Sequence, residues 1–350
     1  MIGLPEILAG IMMLALNAYV LTGGADFGGG VWDLLASGPR RIAQRELIAR
    51  AIAPIWEANH VWLIIVVVML FTAFPPVFAA LGTLLHVPLS LLLLGIVLRG
   101  SAFVFRSYGS RKDADRRRFG RAFAMASTVT PVLLGVIIGA LATGDVGEAA
   151  ARVNSASFAD VYVRPWFAPF PLAIGALALA LFAFLAAVYL TLDTSDPALQ
   201  DDFRRRALGA ALAVFVLAFG ALALSWRLAP RVRTGLVAAP WALWLQLATG
   251  VAATTAIVAL WQRRYRLARI AAAAQVSFIL WGWALAQYPY LVPDALTIRA
   301  AAAPRVTLVL LLWGLAIGAV VLVPSLVYLF RMVRRLDAAP ERGQTPVGSE

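Results

Sequence analysis

Long apolar runs dominate the sequence, and they constrain the fold more than any other feature. A helix needs about 20 apolar residues to cross the hydrocarbon core of a membrane. Hydrophobic residues make up 62% of the 350 residues and charged residues only 14%, so a soluble domain of this size would leave much of this apolar surface unburied. Nine runs approach or exceed the spanning length, at roughly 5–27, 55–73, 77–105, 122–142, 167–191, 207–225, 237–260, 267–287 and 305–330.

Helices are the secondary structure that these runs predict. Open sheet edges are not tolerated in lipid, and no alternating strand pattern is present. Runs two and three are separated only by Phe74, Pro75 and Pro76; because proline breaks helices, we expect a tight hairpin there. The sequence therefore predicts an all-α membrane protein, a polytopic bundle of about nine transmembrane helices.

The basic residues indicate the orientation of the bundle. The net charge is +12, but the basic residues lie in short loops, which is typical of membrane topology and predicts no nucleic-acid partner. The positive-inside rule places the loops richest in Lys and Arg in the cytoplasm. Twenty-two of the 30 Lys and Arg residues lie at 37–53, 106–121, 192–206 and 261–269 or after 330, and seven lie in the alternate loops.

This bias predicts a periplasmic N-terminus and a cytoplasmic C-terminus, which requires an odd number of spans. We expect residues 1–336 to form one integral membrane domain. The last residues, 337–350, are polar and contain Pro and Gly, which predicts a disordered cytoplasmic tail.

Three charged residues fall at a common depth in three consecutive runs. At about 1.5 Å per residue, Asp26 lies roughly 30 Å along the first run, Glu57 begins the second, and Arg99 lies about 33 Å down the third. Consecutive helices with short connections are usually neighbours, so we expect a buried cluster of these three near the cytoplasmic boundary. The alternative is that each side chain extends separately to water. The stretch TGGADFGGGVWD favours burial, because five glycines around one Asp allow backbones to approach closely.

Metal and haem ligands are scarce. The chain has no Cys and two His. A di-iron bundle uses two Glu-x-x-His motifs and two further Glu, whereas this chain has a single such motif, Glu57 with His60. We therefore expect no metal or haem bound by the chain's own ligands. His60 shares a helix face with Glu57, which suits hydrogen bonding or proton transfer, whereas His86 is expected to pack.

Several functions remain open from the residues alone. A proton-coupled secondary transporter could use Asp26, Glu57 and Arg99 as its coupling site, although such sites favour the midplane of the membrane. In a purely structural membrane subunit the carboxylates would be dispensable.

Five segments together resemble one family, subunit II of the cytochrome bd-type quinol oxidases, in the form of the cyanide-insensitive branch. They are TGGADFGGGVWDLL, APIWEANHVWLI, LRGSAFVFRS, AQYPYLVPDALTIRAAAAP and LVPSLVYLFRMV. The resemblance covers essentially the whole chain, and the second segment is its most specific part.

The resemblance implies a multi-pass protein of the bacterial inner membrane, in an obligate heterodimer with a haem-bearing subunit I. That partner would hold haems b and d, or b only, and the complex would oxidise quinol and reduce O2 to water in an electrogenic reaction. The resemblance also allows a structural quinone, a small accessory subunit and bound lipids. This chain alone would not be catalytic.

The resemblance further implies that Glu57 and Asp26 begin a proton path from the cytoplasm. We expect His60 to receive the proton next and Arg99 to belong to the same polar cluster. The other polar and aromatic residues of this segment are expected to pack or to order water; they are Asn59, Trp56 and Trp62. This chain departs from many relatives in two places, because Gly23 and Val104 occupy positions where they commonly carry an acid.

Overall fold

The computed structural model describes residues 3–52, 56–108 and 113–338, without the side chains of 56–58, 107–108, 113–117, 323 and 329–338. Within these ranges the chain is almost entirely helical, with one two-stranded antiparallel ribbon. Its elements are α1 (Leu4–Leu34), α2 (Arg41–Ile52), α3 (Trp56–Ala73), α4 (Pro75–Leu84), α5 (His86–Tyr108), α6 (Asp113–Thr143), α7 (Asp145–Ala151), α8 (Phe158–Tyr162), α9 (Pro169–Leu190), α10 (Pro197–Leu228), α11 (Pro230–Ala238), α12 (Ala242–Trp261), α13 (Tyr265–Gln287), β1 (Tyr290–Val292), β2 (Leu296–Thr297) and α14 (Arg305–Ala338).

The helices long and apolar enough to cross a membrane agree with the predicted class. Among the described residues there are eight, or nine if the bent pair Asn59–Ala73 and Pro75–Leu84 counts as one span. The all-α polytopic fold is thus confirmed. The tail at 337–350 lies almost wholly outside the described residues, and its disorder stays a prediction.

The third predicted run, 77–105, is wrong as a single helix. α4 ends at Leu84 and α5 begins at His86. Pro88 supplies the reason, since it has no N–H to donate to the carbonyl of Leu84. The predicted hairpin at Phe74 is a bend of 114° between α3 and α4, so α4 neither continues α3 nor returns fully antiparallel to it.

Helix α9 lies at the centre of the bundle, packed against α1, α6 and α10. Its sequence is apolar on every side, which is typical of a fully buried helix, and residues 180–188 are all buried. The glycines of α1 allow the closest approach. A Cβ at Gly28 would lie 2.0 Å from the carbonyl oxygen of Phe182, so α1 can cross α9 here only without a side chain.

The two sets of loops separate to opposite ends of the bundle. At one end, Arg40 donates to Asp202 at 2.6 and 2.9 Å, and Arg263 lies 3.6 Å from Asp201. These contacts join the Arg-rich loops that the sequence assigns to the cytoplasm.

At the other end, Arg299 donates to Glu6 at 2.5 Å, and Arg231 donates to Asp294. The hydrogen bond to Asp294 raises the pKa of the Arg231 guanidinium above its ordinary value. The separation of the loops agrees with the charge pattern, while the assignment of one end to the cytoplasm stays a prediction.

That assignment can be tested with single cysteines, because the natural chain has none. Ser37 and Ser155 are exposed at opposite ends. We expect a membrane-impermeant thiol reagent to label Ser155→Cys in intact spheroplasts and to label Ser37→Cys only after the membrane is opened. Labelling of Ser37→Cys alone in closed spheroplasts would reverse the orientation.

The close crossing of α1 and α9 gives a stability prediction. Gly28→Ala should destabilise the protein by about 1–3 kcal/mol, because the added methyl group forces the two backbones apart. Gly10→Ala on the same helix is the matched control, since a Cβ there meets nothing within 4 Å. Denaturant unfolding of the purified protein in detergent measures both, and equal stability of the two variants would contradict the packing argument.

Candidate functional site

The centre of the site is a buried ion pair between α1 and α5. The Arg99 guanidinium donates to a carboxylate oxygen of Asp26, and the two residues are 1% and 0% exposed. Arg99 Nε also donates to Ser127 Oγ of α6 at 3.0 Å. Neither charge reaches water, so the alternative in which each side chain extends separately to the surface does not describe this pair.

Two aromatic rings complete the surroundings of the guanidinium. Its carbon lies 4.5 Å from the ring centre of Phe27 and 5.2 Å from that of Phe123. The face of an aromatic ring attracts a cation, and this attraction partly offsets the cost of removing Arg99 from water. The arginine is thus held by one carboxylate, one hydroxyl and two ring faces.

The glycine run of α1 makes this arrangement sterically feasible. A Cβ at Gly30 would lie 2.2 Å from the Cβ of Ser127. Because Gly30 carries no side chain, α6 approaches α1 closely enough for Ser127 to reach Arg99.

Asn59 of α3 is a second buried polar group beside Asp26. It is 0% exposed, and Thr22 Oγ1 donates to its Oδ1 at 2.6 Å. Asn59 packs directly on Gly23, and both Asn59 and His60 lie close enough to Asp26 to act on its charge. Trp62, one turn further along α3, packs against the cluster formed by Tyr19, Phe27 and Phe182.

Glu57 and Trp56 lie in the first turn of α3, but their side chains are outside the described part of the chain. Glu57 is the second residue of α3, and its placement at the depth of Asp26 stays a prediction. The role of Glu57 as a proton-loading group stays a prediction, as do the roles of Asp26 and His60.

The sequence analysis missed a second ion pair, one step nearer the Arg-rich end. Arg106 donates to both carboxylate oxygens of Asp33 at 3.1 and 3.2 Å. These two residues lie seven positions after Arg99 and Asp26 respectively. This repeated spacing is a signal that could have found the pair, because seven residues return to nearly the same helix face.

The two histidines of the described residues have separate surroundings. No group of three or more His, Cys, Asp or Glu side chains there is placed to hold a metal ion. His86 lies within hydrogen-bond distance of the Thr83 carbonyl at 2.8 Å and packs against Phe158 and Tyr162. His60 lies near Asp26, towards the other end of the bundle, so the two histidines do not fit the axial positions of one haem.

The fold and site define a class, a helical membrane subunit with charged residues buried between its spans. The chain matches the family model of cytochrome bd terminal oxidase subunit II over residues 4–333, and it belongs to that family. Membership in this family gives no support to the transporter hypothesis.

Two curated relatives illustrate the similarity. The cytochrome bd-I ubiquinol oxidase subunit 2 of Escherichia coli (strain K12) is 27% identical over 223 residues, which cover 63% of this chain and 55% of the relative. The putative cytochrome bd menaquinol oxidase subunit II of Bacillus subtilis (strain 168) is 27% identical over 120 residues, 34% of each chain. The chain thus spans about a third to about half of the length of these relatives.

A solved structure supports the fold over a greater length. It is that of bd oxidase from Geobacillus thermodenitrificans, with a TM-score of 0.72 at 23% sequence identity. The match covers 94% of this chain and 98% of the other. At this identity the likeness shows the fold alone.

The burial of the ion pair predicts a strong effect of removing one partner. Arg99→Met leaves Asp26 buried and uncompensated, which should cost about 3–5 kcal/mol of unfolding free energy. Adding Asp26→Leu should recover part of this loss, because no lone charge then remains. Denaturant titration of the purified protein in detergent measures both variants.

Arg106→Met is the matched control, since the Arg106 side chain is 21% exposed against 2% for Arg99. It should cost less than Arg99→Met because the remaining carboxylate, Asp33, keeps a second basic partner, Arg45, at 3.9 Å. An equal loss in the two single variants would contradict the special cost of the buried pair.

Proposed function

We propose that this chain is the haem-free subunit II of a cytochrome bd-type terminal oxidase in the inner membrane of a bacterium. The complex oxidises quinol and reduces O2 to water. Family membership supports this function, as do the relatives whose names describe subunits of ubiquinol and menaquinol oxidases. The partners in this proposal are a haem-bearing subunit I, quinol, O2 and the surrounding lipids.

In this proposal the haems, b and d or b only, belong to subunit I and supply the chemistry of O2 reduction. The positions of His60 and His86 support that division, since they do not suit a shared haem. The structural quinone and the small accessory subunit stay predictions of the resemblance.

The role of this chain in the reaction is to deliver protons from the cytoplasmic side. The observation that carries this role is the state of Asp26. Arg99 binds one of its carboxylate oxygens, while the other, Oδ2, is buried and has no hydrogen-bond partner within the described residues. A carboxylate oxygen free of the ion pair is an acceptor for a proton, and burial shields it from bulk water.

The supporting groups can be given roles on the same basis. Glu57 takes up the proton at the start of α3 and Asp26 receives it. His60 lies within electrostatic range of Asp26, and its ring nitrogens can donate or accept a hydrogen bond along the route. Asn59, held by Thr22, and Trp62 line the route, and Trp56 precedes Glu57 in α3.

This role is tested with Glu57→Gln and Asp26→Asn in the assembled complex. Each substitution keeps the size of the side chain and removes the proton-binding carboxylate. Asp26→Asn also leaves the buried Arg99 without its charge partner, so its rate is taken per assembled complex. We expect quinol oxidase turnover to fall roughly tenfold or more in each, because proton delivery becomes limiting. Oxygen consumption with saturating quinol measures the rate.

Glu46→Gln is the control, because Glu46 is an exposed acid on α2 at the same end of the bundle, and its turnover should equal that of the unmodified complex. Full turnover of both Glu57→Gln and Asp26→Asn, at normal yield of the complex, would leave this chain a purely structural subunit.

A further inference from the structure

A column of polar side chains runs along one face of α1. Tyr19, Asp26 and Asp33 are spaced by seven residues, which places them nearly in line and about 10.5 Å apart in rise. Asp33 pairs with Arg106 and Asp26 with Arg99. Tyr19 is the third member, at the end of the column nearest the centre of the span, and none of the roles given above uses it.

The hydroxyl of Tyr19 is buried without a hydrogen-bond partner. The residue is 0% exposed, and within the described part of the chain its hydroxyl contacts no donor or acceptor. Asp26 Oδ2 and Asn59 Nδ2 are also buried without a hydrogen bond of good geometry, and the Asn59 side chain lies close to the Asp26 carboxylate. Buried polar atoms in native proteins are nearly always satisfied, either by protein or by ordered water.

These three atoms have complementary chemistry. Asn59 Nδ2 donates, Asp26 Oδ2 accepts, and a phenolic hydroxyl does both. Water, with two donors and two acceptor positions, matches such a set. Asn17 also has a buried oxygen without a partner, but it lies nine residues from Asp26 and therefore on the opposite face of α1.

The packing keeps Tyr19 next to the ion pair. Its ring meets the ring of Phe27 edge-on at 6.5 Å, and Phe27 in turn lies against Arg99 at 4.5 Å. Tyr19 is within electrostatic range of both Asp26 and Arg99. Because Cα–Cβ bonds in a helix tilt toward its N-terminus, the side chain continues the column away from the Arg-rich end.

We propose that the Tyr19 hydroxyl carries protons onward from Asp26, through water molecules held by Asp26 Oδ2 and Asn59 Nδ2. The inference rests on the proton-delivery role proposed above. A water protonated by Asp26 gives its proton to the hydroxyl oxygen while the phenolic proton passes to the next water. Tyr19 is neutral before and after, and no electron moves.

The test is Tyr19→Phe in the assembled complex, which removes one oxygen and keeps the ring on Phe27. We expect turnover to fall roughly tenfold and the ratio of rates in H2O and D2O to rise, with KM for quinol and the yield of complex unchanged. Tyr189→Phe is the matched control, because Tyr189 lies on α9 against Arg269, outside the column. Its turnover and isotope effect should match those of the unmodified complex.

Other outcomes separate the two proposals. If Asp26→Asn is slow while Tyr19→Phe turns over normally with an unchanged isotope effect, the role of Tyr19 is overturned and proton delivery by Asp26 stands. Normal turnover in Asp26→Asn, Glu57→Gln and Tyr19→Phe overturns both. A loss in Tyr19→Phe that only follows a reduced yield of complex, with an unchanged isotope effect, shows a packing role and also overturns the inference.

Discussion

The first half of the bundle depends on one interaction, the ion pair of Asp26 with Arg99 inside the apolar interior. Removing one partner of a buried ion pair costs about 3–5 kcal/mol, so neither residue is stable there without the other. The pair therefore fixes α1 and α5 at one relative depth, and Ser127 adds α6 to the same contact. Because Gly30 has no side chain, α6 can come close enough to α1 for Ser127 to join this contact.

The same pair also explains how a carboxylate can be both fixed and chemically available. Arg99 and the rings around it hold one oxygen of Asp26, while the other oxygen has no partner within the described residues. A carboxylate bound through both oxygens, as Asp33 is by Arg106, offers fewer free lone pairs to an incoming proton. The two pairs share a spacing but differ in this respect, and the difference favours Asp26 as the carrier and Asp33 as a structural contact.

Much of this arrangement could be predicted from the sequence, because the depth of a residue in the membrane follows from its position along an apolar run. Apolar run lengths predict the spans, and the rise per residue places Asp26 and Arg99 at the same depth. The hydroxyl of Ser127 could not be assigned, because a single Ser in a span carries no signal of the helix it faces. Arg106 was counted with the loop at 106–121, so its pairing with Asp33 was missed although the seven-residue spacing was present.

The two departures from the resemblance have unequal consequences once the positions are known. Val104 is 39% exposed on the outer face of α5, so an acid there would not join the cluster around Asp26. Gly23 is buried against Asn59, so the acid that many relatives carry there would enter the cluster itself. Its absence leaves Asp26 as the carboxylate of α1 within this cluster, with Asn59 and Thr22 beside the position of the missing acid. In the proposed route, a chain built this way has no second acid at that position of α1 to bypass Asp26, so its turnover should be more sensitive to Asp26→Asn than that of a chain with both acids.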